Sequence, residues 1–189
     1  MAEIIHAKDL RPGNTFIDNG NLYEVLEITF NKTAMRAGIV KDKVKNLRTG
    51  SITWNDLTNG KFEKVTVDNI LMSFSYVEGE NYVFMDNETF EQVEIPSSRI
   101  GNMKNFLTEG IEVHVQKFGD EILGIKLPDT IVCDLIDCEE AVQGNTVKAI
   151  MKKAHISTGF EVQVPQFIRP TDRIIISTVD GTYKGRETK

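Results

Sequence analysis

Residues 22–45 have the sequence LYEVLEITFNKTAMRAGIVKDKVK, and this stretch gives the clearest prediction for the architecture of the first part of the chain. Residues 22–28 and 39–45 are short runs rich in β-branched and apolar residues, which is typical of β-strands. The residues that connect them, 30–38, combine cations with small side chains. The pattern therefore predicts one long β-hairpin with positive charge at its tip and behind it.

The hairpin is basic, whereas the protein as a whole is acidic. Between residues 29 and 50 there are six basic residues and a single acid, Asp42, while the whole chain has a formal charge of −6. The six are Lys32, Arg36, Lys41, Lys43, Lys45 and Arg48. A basic finger on an acidic body indicates a probe directed at a negative target. The acidic remainder argues against extensive coating of nucleic acid, because such binding scales with the number of phosphates neutralised.

Lysine occupies every second position of the second strand, at Lys41, Lys43 and Lys45. On a β-strand these three ammonium groups share one face at intervals of roughly 6.6–6.8 Å, which is close to the repeat of a nucleic-acid backbone. They are therefore candidate contacts to a nucleic-acid backbone, together with Arg48. The alternative is a solvated strand face whose lysines protect a sheet edge from aggregation.

Strand signals dominate the whole chain. Further strand runs occupy residues 82–85, 111–115 and 173–176, and turn signals lie at residues 18–21, 48–50, 59–60, 78–80, 118–120 and 180–181. The chain is too long for one small barrel, and blocks of about 60 residues are separated near residues 65–66 and 127–129. We therefore expect an all-β protein with three small β-barrel domains, formed by residues 1–65, 66–127 and 128–189.

One helix is expected after Pro96, because Pro96, Ser97 and Ser98 offer a proline and a hydroxyl cap. Apolar residues then recur at helical spacing, at Ile100, Met103, Phe106 and Leu107, and Gly110 would end the helix. Trp54 and the phenylalanines are expected in cores rather than as platforms for stacked bases, apart from Phe30 beside the finger.

The remaining residues indicate no catalytic, metal or redox site. Cys133 and Cys138 match neither a disulfide scaffold nor a zinc knuckle, and the acidic group in residues 134–140 matches no metal loop. The three histidines are interpreted as structural or surface residues. No phosphate-binding or hydrolase motif is present, so we expect no metal, no cofactor and no enzyme activity. With no signal peptide and no spanning segment, a cytoplasmic protein without a membrane partner is expected.

Four segments resemble, in the right order, the family of bacterial translation elongation factor P. They are DLRPG (9–13), VKNLRTG (44–50), FMDNETFEQ (84–92) and KKAHISTGFEVQVP (152–165). The resemblance implies an N-terminal SH3-like (KOW-type) barrel followed by two OB-folds in an L-shaped arrangement similar to tRNA. It also implies a monomer that binds the ribosome between the peptidyl and exit sites, contacts ribosomal RNA and peptidyl-tRNA, and relieves stalling at consecutive prolines.

Two other interpretations stay open. Thr171 stands where the family signature usually has glycine, which leaves room for an elongation factor P-like paralogue. A general single-stranded RNA-binding protein is the second, because OB-folds often bind oligonucleotides.

The resemblance also assigns roles at the hairpin tip. The residues implied in contact with the CCA end of peptidyl-tRNA are Lys32, Thr33, Ala34, Met35, Arg36, Ala37 and Gly38. Met35 aligns with the position that carries a modified lysine or a rhamnosylated arginine in other members. A thioether has neither an amine to extend nor a guanidinium to glycosylate, so no modification is expected at Met35. Lys32 or Arg36 could be modified instead, but an unmodified finger is favoured.

Overall fold

The computed structural model describes residues 3–31, 39–140 and 151–187. The chain divides into two compact units, Met1–Ile70 with Val115–Gly124 and Leu71–His114 with Ile125–Lys189. In the described ranges it forms sixteen β-strands arranged in three sheets. The predicted all-β fold is confirmed.

The first sheet has six strands. They are β1 (Glu3–His6), β2 (Thr15–Asp18), β3 (Asn21–Asn31), β4 (Ile39–Asn46), β5 (Ile52–Asp56) and β6 (Lys61–Val65), in the order β1-β6-β2-β3-β4-β5. A short 3-10 helix, Ala7–Asp9, follows β1. Strands β3 and β4 pair antiparallel, from Tyr23 opposite Asn46 to Asn31 opposite Ile39. The predicted long hairpin is therefore confirmed over its paired strands.

A β-bulge interrupts the pairing of β3 with β4. Val25 lies opposite Val44, and the next pair is Glu27 with Lys43, so Leu26 is an additional residue on β3. Because opposed residues share a face of the sheet, the bulge keeps Val25 and Ile28 on the side of the core although they are three positions apart.

The core of the first sheet combines residues of one face of the sheet with residues of the adjoining segments. Its buried members are Ala7, Leu10, Phe16, Val25, Val44, Leu57 and Phe62. Phe16 is central, with its ring centroid 4.8 Å from that of Phe62 and 5.6 Å from that of Tyr23. The β2–β3 turn places Asn19 and Gly20 at φ 47° and 77°, the positive values that a two-residue type I′ hairpin requires.

The prediction that Trp54 lies in a core is wrong. Its side chain is 52 % exposed on β5, the edge strand of the first sheet. The register explains this position. Asp42 and Val44 are buried, so Lys43 between them points to the solvent face of β4, and Trp54 lies opposite Lys43 on that same face. Phe90 and Phe167 are exposed as well, so the same expectation is wrong for two phenylalanines.

The second sheet has the order β11-β10-β7-β8-β9. These strands are β7 (Asp68–Glu78), β8 (Asn81–Asp86), β9 (Gln92–Pro96), β10 (Glu112–Phe118) and β11 (Glu121–Lys126). The expected helix begins after Pro96 but is regular for a single turn, α1 (Ser97–Ile100), and continues as a 3-10 helix, Gly101–Phe106. Gly101 has φ 59° and ψ −135°, which ends the α-helical turn. Ile100, Met103 and Phe106 then recur every three residues, as a 3-10 helix requires.

The third sheet has the order β14-β13-β12-β15-β16. Its strands are β12 (Thr130–Cys138), β13 (Met151–Ile156), β14 (Glu161–Pro165), β15 (Arg173–Ser177) and β16 (Tyr183–Arg186). Alternate residues of β13, β14 and β15 are buried, so each strand presents one face to the core. Cys133 lies in this core as a free thiol whose pKa burial raises to about 11, which makes it a poor nucleophile.

Candidate nucleic-acid interface

The candidate interface divides into a part that the structure describes and a part that it does not. The predicted tip residues lie outside the described ranges; they are Lys32, Thr33, Ala34, Met35, Arg36, Ala37 and Gly38. The residues behind the tip, Lys41, Lys43, Lys45 and Arg48, lie on β4 and in the turn that follows it. Their placement can be derived from the pairing of β4 with its two neighbours.

The three lysines share one face of β4, as the alternation predicted. Lys41 is exposed, and Lys43 and Lys45 are half-buried, whereas Asp42 and Val44 between them are buried. The lysines therefore form an outward row on a strand whose other face packs on the core. The row occupies an internal strand, because β4 is paired with β3 on one side and with β5 on the other. Protection of a free sheet edge by these lysines is consequently not their role.

Cross-strand neighbours give this lysine face a mixed character. Trp54 lies opposite Lys43, whose Nζ is 6.0 Å from the centroid of the indole ring, at the outer limit of a cation–π contact. Ile52 lies opposite Lys45 and is 53 % exposed. Apolar surface from β5 therefore lies beside the ammonium groups.

Acidic residues lie on the same face of the sheet as the three lysines. The number of charged residues along the hairpin did not predict this arrangement. Glu24 is opposite Lys45, Glu27 is opposite Lys43, and Asp56 is opposite Lys41. Since like-facing opposite charges attract across a sheet, the three carboxylates reduce the positive potential of the lysine row. The pKa of Asp56 is lowered, first by hydrogen bonds from Thr58 and then by the charge of Lys41. The positive charge of the described hairpin is thus local rather than extensive.

Asp42 is the most unusual polar residue of the site. Its side chain is fully buried, and neither carboxylate oxygen has a hydrogen-bond partner in the part of the chain that the structure describes. It lies opposite Ile28 on β3 and Asn55 on β5, on the core side of the sheet. Burial raises the pKa of Asp42 from 3.8 to about 6, because desolvation penalises the charged form. From the sequence, Asp42 was noted only as the single acid among the basic residues, and the burial of its side chain was not predicted.

Arg48 is held by the protein itself. Its Nε lies 3.1 Å from both carboxylate oxygens of Glu121, its Nη2 donates to Glu121 Oε2 at 2.9 Å, and its Nη1 donates to the Gly20 carbonyl at 2.8 Å. The hydrogen bonds to Glu121 raise the pKa of Arg48 further above its already high ordinary value. This fork joins the β4–β5 turn to the start of β11 within the first unit. The nucleic-acid contact predicted for Arg48 stays a prediction.

Acidic residues of the third sheet have side-chain partners. Asp134 forms an ion pair with Arg173 at 3.1 Å, and Asp137 Oδ1 lies within hydrogen-bond distance of His155 Nδ1 at 2.7 Å, a neighbour that the spacing of the histidines did not suggest. Among the described residues no group of three His, Cys, Asp or Glu side chains is arranged to hold a metal ion. In the same ranges no helix has the length and apolar character needed to cross a membrane.

Three family domains match the chain in succession. They are described as the Elongation factor P (EF-P) KOW-like domain over residues 6–61, the Elongation factor P (EF-P) OB domain over residues 67–125, and the Elongation factor P, C-terminal domain over residues 131–186. With the three sheets, these matches define a translation factor built from a KOW-like domain and OB-type domains.

Curated relatives match over nearly the whole chain. An elongation factor P of Malacoplasma penetrans is 54% identical over 99% of this chain and 100% of its own length. The elongation factors P of Mycoplasmoides gallisepticum and Mycoplasma genitalium are each 52% identical, over 98% and 100% of this chain and over 99% and 100% of their own lengths. The chain therefore belongs to the elongation factor P family, and the resemblance of the four segments is confirmed.

Proposed function

We propose that this protein binds the ribosome between the peptidyl and exit sites as a monomer and stabilises peptidyl-tRNA during peptide-bond formation. Its main effect is the relief of stalling at consecutive prolines. Family membership supports the proposal, and so does the row of Lys41, Lys43 and Lys45, which lies on the outward face of the strand that leaves the basic tip. Among individual residues, this row of three lysines is the main support for a contact with RNA.

The proposed mechanism is positioning. A prolyl residue is a poor partner in peptide-bond formation because its ring fixes φ and makes the attacking nitrogen a constrained secondary amine. A factor that holds the CCA end of peptidyl-tRNA lowers the entropic cost of reaching the geometry of attack. The bond is then made by ribosomal RNA, and no covalent intermediate forms on this chain.

Each part of the hairpin has a distinct role in this proposal. Residues 32–38 contact the CCA end, with Lys32 and Arg36 as its cations. Lys41, Lys43 and Lys45 contact the RNA backbone behind the tip, and Trp54 and Ile52 lie opposite Lys43 and Lys45 on the neighbouring strand. The domain boundaries that accompany the proposal are those expected from the strand blocks, residues 1–65, 66–127 and 128–189.

A reconstituted translation reaction tests the proposal. The rate of synthesis is measured on a message that encodes three consecutive prolines and on a matched message without them. This protein should accelerate the first reaction selectively, and the double variant Lys32→Ala/Arg36→Ala should lose most of that acceleration. Lys8→Ala is the control, since Lys8 is an exposed lysine of the 3-10 helix Ala7–Asp9, outside the hairpin. Equal rates with and without the protein on the proline message would overturn the proposal.

We further propose that the finger acts unmodified. Met35 offers no group for the modifications found at this position in other members, and Lys32 and Arg36 supply cationic contacts on either side of it. Intact mass of the protein purified from its native host is the test. A mass equal to that of the bare chain, with or without Met1, is expected. An adduct mapped to Lys32 or Arg36 would show that modification has moved to a neighbouring position.

A general single-stranded RNA-binding function predicts a different result. In that case the protein should bind free oligonucleotides at physiological salt with submicromolar affinity in the absence of ribosomes. The carboxylates opposite the lysine row, Glu24, Glu27 and Asp56, weaken this alternative because they oppose contact with a long run of phosphates. We expect weak binding to free oligonucleotides and tight binding to ribosomes that hold peptidyl-tRNA.

A further inference from the structure

The turn between β8 and β9 presents an aromatic side chain to solvent. Phe90 is 71 % exposed, compared with 63 % for Phe167 and 52 % for Trp54. Its backbone has φ 60°, in the left-handed region that is unfavourable for a bulky side chain and is usually occupied by glycine or asparagine. Phe90 therefore combines an exposed ring with a backbone conformation that does not suit it.

The turn does not need the ring of Phe90 for its own structure. Asp86 organises it: Oδ1 accepts hydrogen bonds from the backbone N–H groups of Glu88 at 2.8 Å and Thr89 at 3.1 Å. The Asp86 carbonyl accepts from the Phe90 N–H at 2.9 Å, and the Asp86 N–H donates to the Glu91 carbonyl at 3.0 Å. The hydrogen bonds from Thr89 and Glu88 to the carboxylate lower the pKa of Asp86. The turn thus fixes the backbone from which the Phe90 side chain projects.

Burial cannot explain why a phenylalanine occupies position 90. An exposed ring gains no hydrophobic stabilisation, and glycine or asparagine would remove the backbone strain. A preorganised aromatic residue is, however, the kind of side chain that supplies binding energy when a partner buries it.

The charges around the ring select the class of partner. Glu88 and Glu91 flank Phe90 and are exposed, and Glu94 is exposed on the following strand. Carboxylates in these positions repel the phosphates of RNA and attract a surface that carries lysine or arginine. We propose that Phe90 is an anchor residue that inserts into an apolar pocket of a basic protein, with Glu88 and Glu91 facing cations at the rim of that pocket. The proposal rests on ribosome binding and adds a protein contact to the RNA contacts of the hairpin.

Binding to ribosomes tests the contribution of the ring. Phe90→Gly and Phe90→Asn should bind ribosomes holding peptidyl-tRNA roughly tenfold or more weakly than the unsubstituted chain. Their melting temperatures should be unchanged or higher, because both residues tolerate positive φ. Phe167→Ala is the matched control for loss of an exposed phenylalanine, and it should bind normally. Reversal of the rim charges in Glu88→Lys/Glu91→Lys should weaken binding most at low salt.

A photoreactive benzophenone analogue of phenylalanine at position 90 identifies the partner class. The expected product with ribosomes is an adduct destroyed by protease and resistant to ribonuclease. An adduct to RNA, an adduct within the chain itself, or undiminished ribosome binding by Phe90→Gly and Phe90→Asn would each overturn the inference. If the unsubstituted chain binds ribosomes while the variants bind equally well, only this inference fails. If the unsubstituted chain does not bind ribosomes, the proposed function fails with it.

Discussion

Arg48 and Glu121 are joined by a forked ion pair across 73 positions of sequence, with Nη2 and Oε2 2.9 Å apart. Both side chains are about one-third exposed, and Arg48 also binds the Gly20 carbonyl. The pair therefore joins three separate stretches of the first unit, the β2–β3 turn, the β4–β5 turn and the beginning of β11. Arg48, although it lies next to the basic hairpin, therefore links parts of the first unit to one another.

Loss of this ion pair should lower thermal stability slightly. Arg48→Ala and Glu121→Gln are each expected to reduce the melting temperature by about 1–3 °C, since partly exposed ion pairs contribute little and are screened by salt. The double variant should lose less stability than the sum of the two single losses, because both changes remove the shared pair between Arg48 and Glu121. Calorimetry at low and high salt measures the effect. Strictly additive losses would show that the two side chains do not stabilise the fold through each other.

Asp42 predicts an unusual dependence of stability on pH. The pKa of Asp42 is about 6 in the folded protein and near 3.8 when unfolded, so the folded state binds the proton more tightly. The resulting stability is complete below pH 4 and is lost as the pH rises through 6. Asp42→Asn removes the charge but keeps the shape, and it should stabilise the protein by roughly 1–3 kcal/mol at pH 7 and by little at pH 4.

Urea unfolding at several pH values checks this expectation. The measured quantity is the difference in unfolding free energy between Asp42→Asn and the unsubstituted chain, which removes the contributions of all other titrating groups. Asp56→Asn is a contrasting control, because the pKa of Asp56 is lowered rather than raised. Its substitution should therefore cost stability at neutral pH. A difference for Asp42→Asn that does not change between pH 4 and pH 7 would contradict the burial of a charged carboxylate.

The lysine row should determine the salt dependence of ribosome binding. The triple variant Lys41→Gln/Lys43→Gln/Lys45→Gln should bind more weakly, and the slope of log affinity against log salt should fall by up to about 2–3. A control with Lys8, Lys104 and Lys126 changed to glutamine alters the net charge equally at exposed positions elsewhere.

The opposing carboxylates provide the converse experiment. Glu24→Gln/Glu27→Gln should tighten binding, since the row would then lack two of its cross-strand acids. Unchanged affinity and slope in both sets of variants would remove β4 from the RNA contact.

Trp54 and Phe16 should respond very differently to truncation. Phe16 is 1 % exposed at the centre of the first core, and Phe16→Ala should lower the unfolding free energy by about 3–5 kcal/mol. Trp54 lies half-exposed on an edge strand, so Trp54→Ala should cost about 1 kcal/mol or less. Denaturant titration of both variants measures the contrast. A large loss for Trp54→Ala would show that the indole has a structural role beyond its contact with Lys43.

Runs of β-branched and apolar residues predicted the strands well, and Gly, Asn and Asp between the runs predicted the turns, because both signals are local. The hairpin of β3 and β4, the turn at Asn19 and Gly20 and the strand β15 could all be recognised in this way. The helix after Pro96 was predicted at its start, but a single glycine with positive φ, Gly101, shortened it. Local signals were weaker there because α-helical and 3-10 spacing differ by less than one residue per turn.

The side chains that surround the lysine row could be predicted less completely, because they depend on which strands are neighbours in the sheet. Nothing local places Glu24 or Glu27 beside the lysines, since that requires the register of β3 on β4. Trp54 was expected in a core because its strand could not be recognised as an edge. The burial of Asp42 could have been predicted, because residues two positions apart on a strand lie on the same face and Val44 is a core residue.

The extra residue Leu26 restricts how the arms of the hairpin can change in length. Beyond the bulge, successive side chains alternate between the core face and the solvent face of the sheet, so the number of residues from the bulge determines the face of each one. One inserted residue in β4 between Asp42 and Asn46 would turn lysines toward the core and Val44 toward solvent, whereas two inserted residues would preserve both faces. Hairpins of related chains should therefore differ in arm length by even numbers, or by a single residue that a bulge absorbs, as Leu26 is absorbed here.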